Sequence, residues 1–187
     1  MTDTPNTSNI DLHATAYHEA GHCVAALIYK LTVRYVTIIL GKDAQGRARP
    51  GHTSIRRPKS LSSAEQRNKD VHADLKGIHA NLIRYLAGPV CEARLIGKPV
   101  DASSMGMYPP WRGDYEAAIE TLRALRGEDA TMLRDSLEVV LLDTQELFRE
   151  PKYWRAVQRI ADELVMRRRV AGGQVRRLYL RAINVEG

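Results

Sequence analysis

His18, Glu19 and His22 are polar exceptions in a stretch that is otherwise apolar nearly all round: Ala14, Ala16, Tyr17, Ala20 and then Cys23 to Ile28. Such a pattern constrains the fold strongly, because a helix apolar on almost every side belongs inside a core. The helix is expected to run from Asp11 to Leu31, with Asp11 as its N-cap and no proline within it. Gly21 would cost about 1 kcal/mol relative to alanine in an exposed helix, so a close approach by another backbone is the expected reason for it. Residues four apart lie on one helix face, so both imidazoles emerge together. His18-Glu19-Ala20-Gly21-His22 is an H-E-x-x-H pattern, whose two histidines can grip one Zn²⁺. Glu19 then leans over the metal's open position as the catalytic base for a bound water. The plain alternative is a buried helix with two hydrogen-bonded histidines.

The rest of the chain reads as mostly helical. Val33 to Leu40 is rich in β-branched residues and reads as a strand, and Gly41 to Gly51 as a turn region. Gly51 to Ile55 forms a short second strand, closed by Pro58. A helical period spans Ser62 to Ile96, starting in earnest near Asp70 and interrupted at Gly88-Pro89. Gly97 to Gly113 is dense in glycine and proline and reads as a loop. Helices follow over Asp114 to Arg126, Asp129 to Arg149 and Lys152 to Arg169. Gly172-Gly173 ends the last of these, and Gln174 to Ile183 closes the chain. The expected class is therefore mostly α (α+β), a helical domain with one small β-sheet and a C-terminal helical bundle. Residues 1–10 are expected to be a flexible lead-in. Residues 11–187 then form one domain, with the site in 11–126 and C-terminal helices over 127–187.

Composition narrows the function classes. With 44% hydrophobic and 27% charged residues, the chain has the balance of a soluble globular protein. It has no apolar run of about 18 residues, and its polar N-terminus lacks the features of a secretory signal. Cys23 and Cys91 are too few for a disulfide framework and suit a reducing, cytoplasmic setting. Both read as small buried hydrophobes, with Cys23 near the rim of the site. Residues 1–148 hold 18 basic and 18 acidic residues, whereas residues 149–187 hold 10 and 4, so the C-terminal part carries the whole net charge of +6. Nucleic acid is nevertheless not the expected partner. Arg167, Arg168, Arg169, Arg176 and Arg177 read as a solvated helix face, and Tyr153, Trp154 and Tyr179 fit helix packing as well as base stacking.

A catalytic zinc site needs a third protein ligand. A third histidine six residues past His22 would mark one large peptidase class, but that position is Ile28. Glu65 is the first glutamate after Glu19 and lies in a hydrophilic stretch poorly placed for the role. Glu92, in an otherwise apolar helical segment, and Asp114, at a loop-to-helix junction, are the better candidates. Their ordinary roles would be a salt bridge and an N-cap.

Five segments taken together resemble the peptidase domain of the FtsH family of ATP-dependent zinc metallopeptidases. Ala16-Tyr17-His18-Glu19-Ala20-Gly21-His22 is similar to that family's A-Y-H-E-A-G-H. Val36-Thr37-Ile38-Ile39 and Gly51-His52-Thr53 are similar to its V-T-I-x strand and G-Y-T edge strand. Leu86 to Ala93 followed by Gly97 resembles the L-A-G-R-x-A-E-E segment, and Gly113 to Ala118 the N-D-x-x-x-A segment. Ile160 to Leu164, with Val170 to Val175, resembles the closing I-A-x-x-L and G-x-x-V pattern. The resemblance implies Asp114 as third zinc ligand, Glu92 as support for a zinc-bound histidine, and Gly51, His52 and Thr53 as a substrate-binding edge strand.

It also implies a zinc metalloendopeptidase acting on unfolded or partner-delivered proteins, and a homo-oligomer, hexameric by analogy. Three features depart from the family. Met105 to Gly113 (M-G-M-Y-P-P-W-R-G) replaces its T-x-G-A-S-N-D lead-in, and these 187 residues contain neither a G-x-x-x-x-G-K-[ST] phosphate loop nor a membrane anchor. A separate ATPase partner, or a substrate already unfolded, is therefore expected. The alternative is a catalytically idle, zinc-containing module that binds peptides or regulates a partner.

Overall fold

The computed structural model describes residues 7–39, 41–42, 48–49, 51–56 and 71–184. Among them the chain is mostly helical, with one small three-stranded antiparallel sheet. The order is α1 (Thr7–Ile28), β1 (Thr32–Thr37), β2 (Gly41–Lys42), β3 (Ala48–Arg49), β4 (His52–Arg56), α2 (Val71–Ile96) and α3 (Ala102–Met107). A 3₁₀ turn (Pro109–Trp111) follows, then α4 (Arg112–Arg126), α5 (Ala130–Arg149), α6 (Pro151–Arg167), β5 (Arg169–Ala171) and α7 (Gly172–Ile183). The sheet order is β4-β1-β5, and β2 pairs with β3 in a separate ribbon.

Helix α1 is the central element, lying mainly against α2 and α6. Its apolar residues Ala16, Ala20 and Cys23 to Ala26 are wholly buried, as the all-round apolar pattern requires. A Cβ on Gly21 would run into the backbone carbonyl of Ala87 and the sulfur of Cys91, both on α2. The glycine thus lets the two helix backbones meet closely. Helix α1 starts a turn earlier than expected, so Asp11 lies inside it and is not its N-cap.

Three further boundaries differ from expectation. Helix α2 runs unbroken through Gly88-Pro89, with Pro89 inside it. Packing of α2 on α1 outweighs the missing proline N–H. The 97–113 segment is not all loop, because Asp101 caps a short helix by accepting the Ser104 N–H at 2.7 Å, and Pro109-Pro110 start a 3₁₀ turn. Gly172-Gly173 begins α7, while Arg168, in the left-handed region at φ 62°, ends α6. Arg169 to Ala171 then form an additional strand on β1. Asp129 caps α5 by accepting the Met132 N–H at 2.8 Å, and Pro151 opens α6. The Pro58 stop, Glu65 and the Ser62–Asp70 stretch lie outside the described residues.

Strand β1 is the middle of the sheet, pairing Val36 with Thr53 of β4 on one side and Val170 of β5 on the other. Directly opposed residues share a face. Buried Val36 and Val170 therefore put Thr53 on the side that faces α1. Tyr153 and Trp154 pack against the core and Tyr179 is buried in it, with Trp154 between Tyr17 and the guanidinium of Arg94. No helix of the described residues is long and apolar enough to cross a membrane.

Candidate metal centre

The site is assembled where α1, α2, the start of α4 and the edge strand β4 meet. His18 and His22 stand one turn apart on α1 with their rings nearly perpendicular, 82° between planes. The far nitrogen of each ring is tied back. His18 Nδ1–H donates to Glu92 Oε2 at 2.9 Å, and His22 Nδ1–H donates to the Arg84 carbonyl at 2.7 Å. A carboxylate and a carbonyl can only accept, so the proton sits on Nδ1 in both rings. Each Nε2 is thereby turned inward, toward Asp114, where it can give its lone pair to a metal once any proton on it is lost.

The inward atoms converge with a carboxylate. His18 Nε2 lies 3.1 Å from His22 Nε2 and 3.0 Å from Asp114 Oδ2, and His22 Nε2 lies 3.5 Å from the same oxygen. These three residues form a group that could hold a metal ion. A tetrahedral Zn²⁺ with bonds of about 2.0–2.2 Å sets its ligand atoms roughly 3.3 Å apart, which matches the observed spacing. The chemistry of the donors agrees. Three electron-rich atoms crowded together, with the histidines buried, require a shared positive charge. In the metal-free chain a proton supplies it: burial opposes the His18 imidazolium, but hydrogen bonds to Asp114 and Glu92 outweigh that and raise its pKa to about 10. Burial likewise opposes the Asp114 carboxylate, yet His22 and His18 hold its pKa well below the usual range.

Asp114 is the third residue of α4, where the helix dipole favours a negative charge; Trp111, not Asp114, occupies the N-cap position. Gly88 completes the cradle from α2. A Cβ there would fall about 2.5 Å from His22 Nε2 and 2.7 Å from His18 Nε2, so only glycine leaves the rings room. Gly88 is therefore the point at which α2 passes directly against the two imidazoles.

No family model matches the chain, and no curated protein matches it.

Glu19 is buried on the same helix and held from β4. The Thr53 hydroxyl donates to Glu19 Oε2 at 2.6 Å, and Gly51 presses so close that a Cβ would lie 2.6 Å from Oε1. Gly51 and Thr53 thus touch the expected base itself, a contact that the sequence reading, which assigned them to substrate, did not foresee. His52 points to the other face of the sheet, its ring 6.0 Å from that of Tyr35. Cys23 is fully buried beside Thr53, at 3.8 Å from its hydroxyl, and burial raises its thiol pKa.

One participant was missed altogether. Trp111 is buried, and its indole Nε1–H donates to Glu92 Oε2 at 2.9 Å, so one carboxylate oxygen accepts from both Trp111 and His18. A tryptophan directly after two prolines was its only signal in the sequence.

Proposed function

We propose that this chain is a zinc endopeptidase that hydrolyses peptide bonds in unfolded or partner-delivered polypeptide. The observation that carries the reading is the convergence of His18 Nε2, His22 Nε2 and Asp114 Oδ2 on one ion-sized point, with Glu19 alongside on the same helix. Two imidazoles and a carboxylate suit zinc and leave a fourth position for water or substrate. When bound there, the ion polarises a carbonyl oxygen and makes water more acidic.

The chain's own residues would do the remaining work. Glu19 accepts a proton from the attacking water and returns it to the departing amine. Thr53 and Gly51 keep its carboxylate in one orientation. Glu92 and the Arg84 carbonyl hold the imidazoles with each Nε2 turned inward. Strand β4 is an edge of the three-stranded sheet, and an extended peptide can pair with such an edge through its backbone. Gly51, His52 and Thr53 would then also lie beside substrate. The five segments that resemble the FtsH peptidase domain support the same reading. A separate ATPase that delivers substrate, and a ring of identical chains, follow from that resemblance alone.

The second reading, a zinc-containing module that binds peptides without cutting them, rests on the same edge strand. Digestion of unfolded casein by the zinc-loaded chain separates the two. Cleavage abolished by a chelator, restored by zinc and lost in Glu19→Gln with zinc retained supports the peptidase. Full zinc occupancy with no cleavage, at any temperature at which the chain stays folded, overturns it in favour of the binding module.

A further inference from the structure

We infer that Trp111 is a positioning residue of the metal centre, and that one turn of chain grips His18 at both ring nitrogens. The inference rests on the metal-site reading above. Pro109 and Pro110 fix the backbone of a 3₁₀ turn in which the Trp111 N–H bonds to the Tyr108 carbonyl at 3.0 Å. The Tyr108 ring packs edge-on to the indole, with centroids 4.6 Å apart, and the indole is 1% exposed. Trp111 leads directly into α4, where Asp114 follows three residues on. Positions three apart share a helix face.

The turn therefore reaches His18 twice. Asp114 Oδ2 meets Nε2 directly at 3.0 Å. Trp111 acts on the opposite nitrogen through Glu92, whose Oε2 receives the indole N–H and the His18 Nδ1–H, each at 2.9 Å. A carboxylate on a residue only 4% exposed needs such donors in place of water. With both present, Glu92 has one favoured orientation, and His18 keeps its Nδ1 proton with Nε2 turned toward Asp114 and His22. The same hydrogen bond docks the start of α4 on α2 and brings Asp114 beside the two imidazoles. The M-G-M-Y-P-P-W-R-G segment, which departs from the family pattern, thus contributes its own brace to the site.

A tryptophan that merely fills the core would act through its ring and not its N–H. Trp111→Phe keeps a ring and removes the donor. The measurement is zinc affinity of the full chain, by competition with a chromophoric chelator, for wild type, Trp111→Phe, Glu92→Leu and the double variant. Ligand-field absorption of the Co²⁺-loaded forms gives a second readout. Loss of a partner behind a liganding histidine lowers metal affinity by about 10–100-fold. We expect about tenfold from Trp111→Phe, with a shifted Co²⁺ spectrum, and almost no further loss when Leu replaces Glu92, because the indole then has no acceptor. Glu92→Met serves as a second apolar background if the Leu variant does not fold by circular dichroism. Equal losses in both backgrounds, or wild-type affinity in Trp111→Phe, overturn the inference. Absence of zinc binding by the wild type overturns the metal-site reading with it.

Discussion

The Nε2 atoms of His18 and His22 face each other at 3.1 Å, each ring having donated its other N–H elsewhere. Two ring nitrogens and the Asp114 carboxylate in one small space need a shared positive charge, which a proton on His18 supplies in the metal-free chain and a metal ion can supply in its place. The wild-type chain should therefore bind one Zn²⁺ per molecule, and Asp114→Asn should weaken binding at least tenfold by removing the ligand charge. Metal analysis after dialysis reads the stoichiometry. Zinc bound equally well by Asp114→Asn would remove Asp114 from the ligand set.

Glycine 88 tests the geometry from the opposite side. Its α-carbon faces both Nε2 atoms, and a methyl group there would overlap them. Gly88→Ala should lose metal binding by about two orders of magnitude or fail to fold. Gly77, on the same helix, has nothing within 4 Å of a Cβ. Gly77→Ala should instead raise stability by about 0.5–1 kcal/mol through helix propensity and leave zinc affinity unchanged. Thermal melts and zinc titration of the pair decide it. A Gly88→Ala variant that binds zinc like wild type contradicts the cradle.

Thr53 and Glu19 form the second relationship on which chemistry depends. Glu19→Gln should retain zinc and lose cleavage by about 10²–10⁴-fold, the usual contribution of a positioned base. Thr53→Val removes the 2.6 Å donor and should lower kcat by about tenfold with zinc content unchanged, whereas Thr53→Ser should restore most of it. Cleavage of a fluorogenic peptide with metal analysis alongside is the check. If Thr53→Val changed KM alone, the hydroxyl would be assigned to substrate and not to Glu19.

Legibility followed the distance over which each interaction acts. The two histidines and Glu19 are set by one helical turn, so spacing alone places them together. The strands around Val36 and Thr53 were visible from local composition. Asp114 bonds to His18 across 96 residues, and only the resemblance singled it out from Glu92. Gly88-Pro89 looked like a helix break because local propensity is blind to the imidazoles and to α1, which keep α2 in place there. Trp111 was hidden in a proline-rich stretch whose turn geometry matters only once Glu92 is brought opposite. Strand β5 has three residues and exists through pairing with β1, which lies far away in sequence.

Metal loading should remove the loss of stability that the metal-free chain shows as pH rises. In the metal-free chain, burial opposes the His18 charge but Asp114 and Glu92 raise its pKa from 6.5 to about 10. A group that binds its proton more tightly when folded contributes fully below its unfolded pKa, and loses that contribution as pH rises through the folded one. Stability from His18 is thus complete below about pH 6.5 and declines toward about pH 10. Asp114 works in the opposite sense. Burial favours its neutral form, but the imidazoles of His22 and His18 hold its pKa below 3.8, so its contribution is present above that value and lost as pH falls further. Together the two groups favour the metal-free fold between about pH 4 and 6.5. Zinc takes the lone pair that the His18 proton occupies, so binding releases that proton and strengthens as pH rises. The expected result is a metal-free Tm that falls between about pH 6.5 and 9, while the increase in Tm on adding zinc grows over the same interval. Scanning calorimetry with and without zinc measures both, and a zinc increment that shrinks with rising pH would show that His18 does not give up a proton to the metal.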